Sequence, residues 1–311
     1  MQLLKDNPTF DFMGRRRAAL ILSAVVLVVS IGAIVLRGFN WGLEFTGGIL
    51  AELEFGDAVE LEDVRGTLAE AGFDQALVQS FGTTSEVLVR LPPVETSEEA
   101  DAIVDRVLES LRAVGYEVML LRPPEFIGSQ VGSDLAEQGA LAMLIATIMI
   151  FIYVMLRFRW KFAVGAIAAL IHDVIVTVGF FALFQYTVDL SVLAAVLAVI
   201  GYSLNDSVVV YDRIRENFRL MRRATTFEIV NTSLNQTLSR TIITGLTTLL
   251  VLFALAALAG DTLFGFSIAL IVGIVVGTYS SIFIGGAAVL WLNVQPADMV
   301  PPKREEVDSL P

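Results

Sequence analysis

Apolar residues cluster in long runs along this chain. Six of them, residues 18–36, 140–156, 162–184, 190–210, 241–259 and 263–292, lie near the ~20 residues a helix needs to cross about 30 Å of hydrocarbon. Between the first and second runs the pattern changes. Residues 50–55 alternate, with Ala51, Leu53 and Phe55 on one side and Glu52 and Glu54 on the other, as a half-buried strand requires. Leu61, Val64, Leu68 and Ala71 then fall on one helical stripe. Residues 76–81 and 86–91 predict a hairpin across a Gly-Thr-Thr-Ser turn. Ser97 sits where an N-cap belongs, and Ala100, Ile103, Val104, Val107, Leu108 and Leu111 repeat at helical spacing until Gly115. Residues 116–121 predict a closing strand, which Pro123 and Pro124 end.

The order strand, helix, strand, strand, helix, strand is that of a ferredoxin-like split βαβ domain. The expected fold is therefore an α-helical membrane protein with six transmembrane helices and a ferredoxin-like α+β extracytoplasmic domain between the first and second spans. The expected organisation is a cytoplasmic N-terminus at 1–17, the first span at 18–36, the outside domain at 37–135, a five-helix bundle at 138–292 and a cytoplasmic tail at 293–311.

Composition agrees with the pattern, since 55% of the 311 residues are hydrophobic and the mean hydropathy is +0.72. The first run follows Arg15–Arg17 as a secretion signal would. Its 19 residues nevertheless exceed the roughly 7–15 of a signal core and no A-x-A site follows, so we expect a retained span. Basic residues set the orientation. Lys5 with Arg15–Arg17, then Arg157, Arg159 and Lys161, then Arg213, Arg215, Arg219, Arg222 and Arg223, then Lys303 and Arg304 fall on one side when the spans are threaded. The expected location is the cell inner membrane, multi-pass, with both termini cytoplasmic. The segment at 37–135 carries 19 acidic residues against six arginines and no lysine, and so accounts for the net charge of −12. Such a surface keeps a domain soluble and disfavours nucleic acid as a partner. The absence of cysteine excludes disulfides and thiolate metal sites. We expect no metal and no cofactor.

Ionisable groups inside a span cost at least about 2.5 kcal/mol at the bilayer centre, so each is a candidate site. The third run carries His172 and Asp173 near mid-depth, the fourth Asn205 and Asp206, and the fifth begins at Arg240. Because the fourth and fifth spans run in opposite directions, Asp206 and Arg240 share a level in the bilayer. Val199, Tyr202, Asp206 and Val210 share one face of the fourth span. Arg240 is followed at helical spacing by Thr244 and Thr247 or Thr248, a stripe expected to face the bundle interior. Desolvation and a neighbouring guanidinium act on a carboxyl in opposite senses, which suits either a switchable proton relay or a static interhelical pair. Adjacent helical residues point about 100° apart, so one of His172 and Asp173 is expected to bond only a neighbouring backbone. Gly273 and Gly277 form a G-x-x-x-G suited to close helix packing. The basic, partly amphipathic stretch at 211–223 reflects the positive-inside bias first, with a segment along the headgroups as the second reading. An aspartyl-protease dyad of Asp173 and Asp206 lacks the Tyr-Asp and Gly-x-Gly-Asp settings. A Ser203–His172 pair lacks a G-x-S-x-G turn, so we expect no enzyme.

Four blocks carry a resemblance. They are Phe10-Asp11-Phe12-Met13, then Gly42-Leu43-Glu44-Phe45-Thr46-Gly47-Gly48, and above all the run from Gly201-Tyr202-Ser203-Leu204-Asn205-Asp206-Ser207 through Asn217, followed by the block from Asn231 to Thr241. They resemble the SecD/SecF family of RND-like membrane proteins, on the SecF side. The resemblance implies half of an RND-type machine, working with SecD and the SecYEG channel on a translocating polypeptide and drawing on the proton gradient. It also implies a relay at Asp206 and Arg240, secondary roles for His172, Asp173 and Asn205, and a glycine hinge at Gly47 and Gly48. The competing reading is an independent RND-like exporter of lipids or small molecules. Such exporters usually hold two six-span halves in one chain, and this chain has one.

Overall fold

A computed structural model describes residues 9–81 and 83–295. In chain order the elements are α1 (Arg16–Arg37), β1 (Asn40–Trp41), α2 (Leu43–Thr46), β2 (Gly48–Phe55), α3 (Leu61–Glu70), β3 (Leu77–Phe81), β4 (Thr83–Leu91), α4 (Ser97–Ala113), β5 (Val118–Leu120), β6 (Glu125–Ile127), α5 (Ser129–Arg157), α6 (Trp160–Phe184), β7 (Thr187–Val188), α7 (Leu190–Leu220), α8 (Thr226–Leu258) and α9 (Asp261–Ser280), which passes through a π turn at Ser281–Gly285 into α10 (Gly286–Trp291). Lys5, Lys303, Arg304 and most of the expected tail lie outside the described residues.

Two compact units result, Trp41–Ala142 and the remainder of the chain. In the first, β2 is central, with the order β3-β4-β2-β5 and β6 beside β5 on the same edge of β2. All pairings are antiparallel, Leu53 lying opposite Val87 of β4 and Leu120 of β5. This is the ferredoxin-like order. Inward residues Ile49, Ala51, Leu53 and Phe55 of β2 meet Val64 and Leu68 of α3 and Val104, Val107 and Leu111 of α4 in one apolar core. Two guanidiniums tie the helices to the sheet, Arg65 donating to the Val78 carbonyl at 2.9 Å and Arg112 to that of Val118 at 2.9 Å.

Three local readings are corrected. The α4 N-cap is Thr96, whose hydroxyl accepts the Glu99 amide at 3.3 Å, and not Ser97. The hairpin is tighter than expected, with Thr83, Thr84 and Ser85 inside β4 and a register shift at Ser80/Phe81; Gly82 of the expected turn lies outside the described residues. The sheet also continues past Pro123 and Pro124 as β6, which pairs Ile127 with Gly48 and Glu125 with Leu50. The prolines split one edge into two short strands, because neither can donate to a ladder.

The second unit holds α1, the later part of α5, and α6 to α10. Among the described residues, six helices are long and apolar enough to cross a membrane. α7 packs on α9, α6 on α1, α7 and α9, and α8 on α7 and α9. One end gathers the C-termini of α1 and α6, where Arg37 donates to Leu183 O at 2.7 Å and Asn40 to Gln185 O at 3.2 Å, and the start of α7, capped by Asp189 on the Val192 amide at 2.8 Å. The opposite end gathers basic residues, with Arg157 on Asp212 at 2.5 Å. There Asn235 reads both backbone groups of Phe10 at 2.8 and 2.9 Å, and Asn231 accepts the Met13 amide at 3.1 Å. Part of the stretch at 211–223 does not lie apart along headgroups. Through Leu220 it continues α7, with Tyr211, Ile214, Asn217 and Phe218 buried against neighbouring helices.

Candidate intramembrane polar site

Small residues let the spans approach closely. A Cβ at Gly273 would overlap the Val199 side chain, and one at Gly277 would sit 3.2 Å from Ser203 Cβ and 3.5 Å from Asp173 Oδ2. The G-x-x-x-G of α9 therefore presses on α7 and brings polar groups of three helices together. Asp173 of α6 is fully buried there. Its Oδ2 accepts the Ser203 hydroxyl of α7 at 2.5 Å and the Ser280 hydroxyl of α9 at 2.7 Å. Its Oδ1 lies 3.0 Å from His172 Nδ1. The expectation that one of the adjacent pair bonds only backbone is thus corrected, because the imidazole turns onto the carboxyl beside it. A carboxyl held by hydroxyls from two other helices is satisfied without an arginine.

Asp206 is also buried, at 3% exposure, but in a different state. Its Oδ2 has no hydrogen-bond partner, and neither do the buried Tyr202 Oη and Ser207 Oγ of the same helix. Three unsatisfied polar groups within two turns are a costly arrangement unless water, a proton or a partner visits them. Arg240 stands on α8, near enough for its charge to act on Asp206. It is exposed, and no ion pair joins the two among the described residues. The stripe below it, expected to face inward, has Thr244 and Thr248 half-buried and Thr247 exposed. The stripe thus runs along the margin of the bundle, with Thr248 beside Tyr202 of α7 and with Arg240 and Thr247 exposed. Asn205 is exposed.

The protease and hydrolase geometries do not assemble. Ser203 donates to Asp173 and not to His172, so no base activates it, and no hydrogen bond joins Asp173 to Asp206. Sequence reasoning missed Ser280 altogether and read Ser203 only as a weak nucleophile. The signal for Ser280 was its position one turn beyond Gly277, on the face that the glycines press inward.

Gly47 and Gly48 adopt φ of +66° and +125°. A Cβ at Gly48 would meet Leu91 O at 2.6 Å, and one at Gly132 of α5 would meet Gly47 N at 2.7 Å. Arg90 of β4 anchors the preceding segment, donating to Trp41 O at 2.6 Å and to the Thr46 hydroxyl. The glycine pair is thus seated where strand, turn and helix meet closely, in a backbone conformation that residues with a side chain rarely adopt.

A six-span bundle with buried carboxyls and an inserted ferredoxin-like domain defines a polytopic membrane protein of the transport class. Two family models match it, "Protein export membrane protein SecD/SecF, C-terminal" over residues 106–295 and the "SecD/SecF GG Motif" over residues 32–59. The chain is 47% identical over 305 residues to the protein translocase subunit SecF of Pseudomonas aeruginosa, covering 97% of this chain and 98% of that one. It is 44% identical to that of Haemophilus influenzae, covering 98% and 93%. A crystal structure of SecDF, a translocon-associated membrane protein from Thermus thermophilus, superposes with a TM-score of 0.81 at 39% identity, covering 92% of this chain and 39% of that one. The chain belongs to the SecD/SecF family of protein-export membrane proteins, as a SecF-type member.

Proposed function

We propose that this chain is the SecF half of a two-part export machine. With a SecD-type partner it draws on the proton gradient to promote late steps of polypeptide translocation through the SecYEG channel. Both termini are cytoplasmic in this reading, and residues 37–135 face outside, where they hold an emerging polypeptide. Asp206 and Arg240 form the relay. Gly47 and Gly48 pass the motion of the bundle to the outside domain.

The observation that carries this reading is the run of unsatisfied groups at Tyr202, Asp206 and Ser207, with Arg240 displayed on an outward face of α8. A half-machine needs such a face, because a polar stripe exposed to lipid is unfavourable until a partner covers it. Asp206 attracts Arg240 when ionised, and a proton arriving from outside removes that attraction. One charge moving through about 100 mV is worth about 2.3 kcal/mol, roughly fifty-fold in a two-state population, which suffices to bias a rearrangement.

The test is export measured in inverted vesicles with and without an uncoupler. Asp206→Asn and Arg240→Met should keep SecD co-purification and lose gradient-stimulated export. Full stimulation in Asp206→Asn would reduce the pair to a packing contact. Recovery of an active homodimer that moves a small solute would favour an independent exporter.

A further inference from the structure

Ser280, which donates to Asp173, is the last α-helical residue of α9, and the π turn begins at the next residue. The far end of that turn is held from another helix. The Tyr211 hydroxyl of α7, fully buried, donates to Gly285 O at 3.2 Å. Small residues surround that hydroxyl closely, since a Cβ at Gly165 would lie 2.5 Å from it and one at Gly285 3.2 Å. The π turn is therefore pinned at its start by a carboxylate and at its end by a phenol. A π turn adds one residue to the helical ladder, and moving or removing it rotates everything beyond by about 100°. Beyond it lies Gly286, which sits against Met13 and Leu234 at the basic end of the bundle.

Ser280 also has a second acceptor at hand. Its Oγ is 3.1 Å from the Gly277 carbonyl of its own helix, so it can leave the carboxyl without becoming unsatisfied.

We propose that Asp173 is a proton-binding site separate from Asp206, and that a proton bound there releases Ser280 to the Gly277 carbonyl and frees the π turn of the last span to shift. In the step, the proton adds to Oδ2 of the Asp173 carboxylate, while Oδ1 goes on accepting from His172 Nδ1–H across the 3.0 Å contact and the other ring nitrogen, buried without a hydrogen-bond partner, takes no proton. The neutral carboxyl is a weaker acceptor than the ionised one, and Ser280 turns to its alternative. The groups around the site are few. α6 supplies His172, α7 supplies Asp206 and Tyr202 near Ser203, and α9 supplies Tyr279, whose ring lies 6.5 Å from His172. α1 offers only hydroxyls between Arg17 and Arg37, and Arg240 is the charge on the neighbouring part of α8. The use of this site in transport rests on the proton-coupled reading above, whereas the binding itself does not.

Amide hydrogen exchange over Ser281–Gly286 in the full chain, reconstituted in liposomes and followed across pH, tests the proposal without any gradient. After correction for intrinsic rates, the wild-type segment should exchange about tenfold faster once the site is protonated, the change expected when one charge-assisted hydrogen bond is lost. Asp173→Asn, which mimics the neutral carboxyl, should exchange fast at every pH. Ser280→Ala, which removes a hydroxyl without touching the acid, should do the same and covers the case in which Asp173→Asn fails to fold. Asp206→Asn should keep the wild-type pH response even if it abolishes export. Corrected exchange that does not change with pH in the wild type would overturn the proposal. So would a response that Asp206→Asn removes and Asp173→Asn retains.

Discussion

The ferredoxin-like domain and the membrane bundle put their polar groups in opposite places. Among the described residues, every fully buried polar or charged side chain, from Ser23 through Asp173 and Asp206 to Ser281, belongs to the bundle, and none belongs to the domain. The domain sits in water and draws its stability from removing apolar surface, so its core of Leu53, Leu68, Val104 and Leu111 has no use for hydroxyls. The bundle gains little from that effect, because lipid is as apolar as its side chains. It is held by close contact at Gly179, Gly273 and Gly277 and by hydrogen bonds between helices. One chain thus uses two different means of cohesion, and the chemistry resides where polar groups are already part of the packing.

The sharpest way to break this contrast is to truncate one apolar side chain in each region. Leu53→Ala in the domain should cost about 2–5 kcal/mol, the transfer and cavity terms together, read by pulse proteolysis of the domain across a urea series. Ile274→Ala, equally buried on α9, should cost clearly less in an SDS-titrated unfolding of the bundle, because only lost contacts count when the alternative environment is lipid. Equal losses would mean that the bundle also relies on apolar burial. The reverse substitution comes next in size. Gly273→Ala, which overlaps Val199, should destabilise the bundle by about 1–3 kcal/mol. Gly66→Ala, on α3 with open space around its Cβ position, should stabilise the domain by about 0.4–1 kcal/mol. A neutral Gly273→Ala would show that α7 and α9 are loosely packed.

The same contrast explains what was legible in the sequence. Period-two alternation at residues 50–55 and the helical repeat at 100–111 report a water-facing side and a core side, so the ferredoxin-like order could be read directly. In the spans this signal is missing, since lipid-facing and buried positions are both apolar. Asp206 and Asp173 stood out by type alone. That Asp206 is left unsatisfied while Asp173 is held by Ser203 and Ser280 depends on helix rotation, which the sequence does not reveal. Arg240 and its threonines read as an inward stripe for the same reason, whereas Arg240 and Thr247 are exposed and only Thr244 and Thr248 are half-buried. β6 was hidden by its length of three residues and by Pro123 and Pro124, which usually end a strand.

The smallest predicted difference compares one device in both regions. Thr96 caps α4 by accepting the Glu99 amide at 3.3 Å, and Thr225 caps α8 by accepting the Glu228 amide at 3.3 Å, with Glu228 returning the contact to the Thr225 amide at 2.8 Å. The two caps share the threonine hydroxyl on the amide three residues on, and only the Thr225 cap is closed by the return contact. α4 has 17 residues and belongs to a domain that unfolds as a unit, so Thr96→Ala should lower the stability of the whole domain by about 0.5–2 kcal/mol. α8 has 33 residues, and interhelical contacts beyond its first turn, such as the Asn217 amide on Ser233 at 2.8 Å, hold it in place. Its first turn can therefore fray alone. Thr225→Ala should speed amide exchange at residues 226–229 while leaving the SDS unfolding midpoint of the bundle within error. A midpoint shift as large as the one Thr96→Ala causes in the domain would mean that the start of α8 is coupled to the packing of the whole bundle. The Asn231 and Asn235 contacts to the segment before α1 would then be the connection to cut next, since they join that first stretch of α8 to another part of the chain.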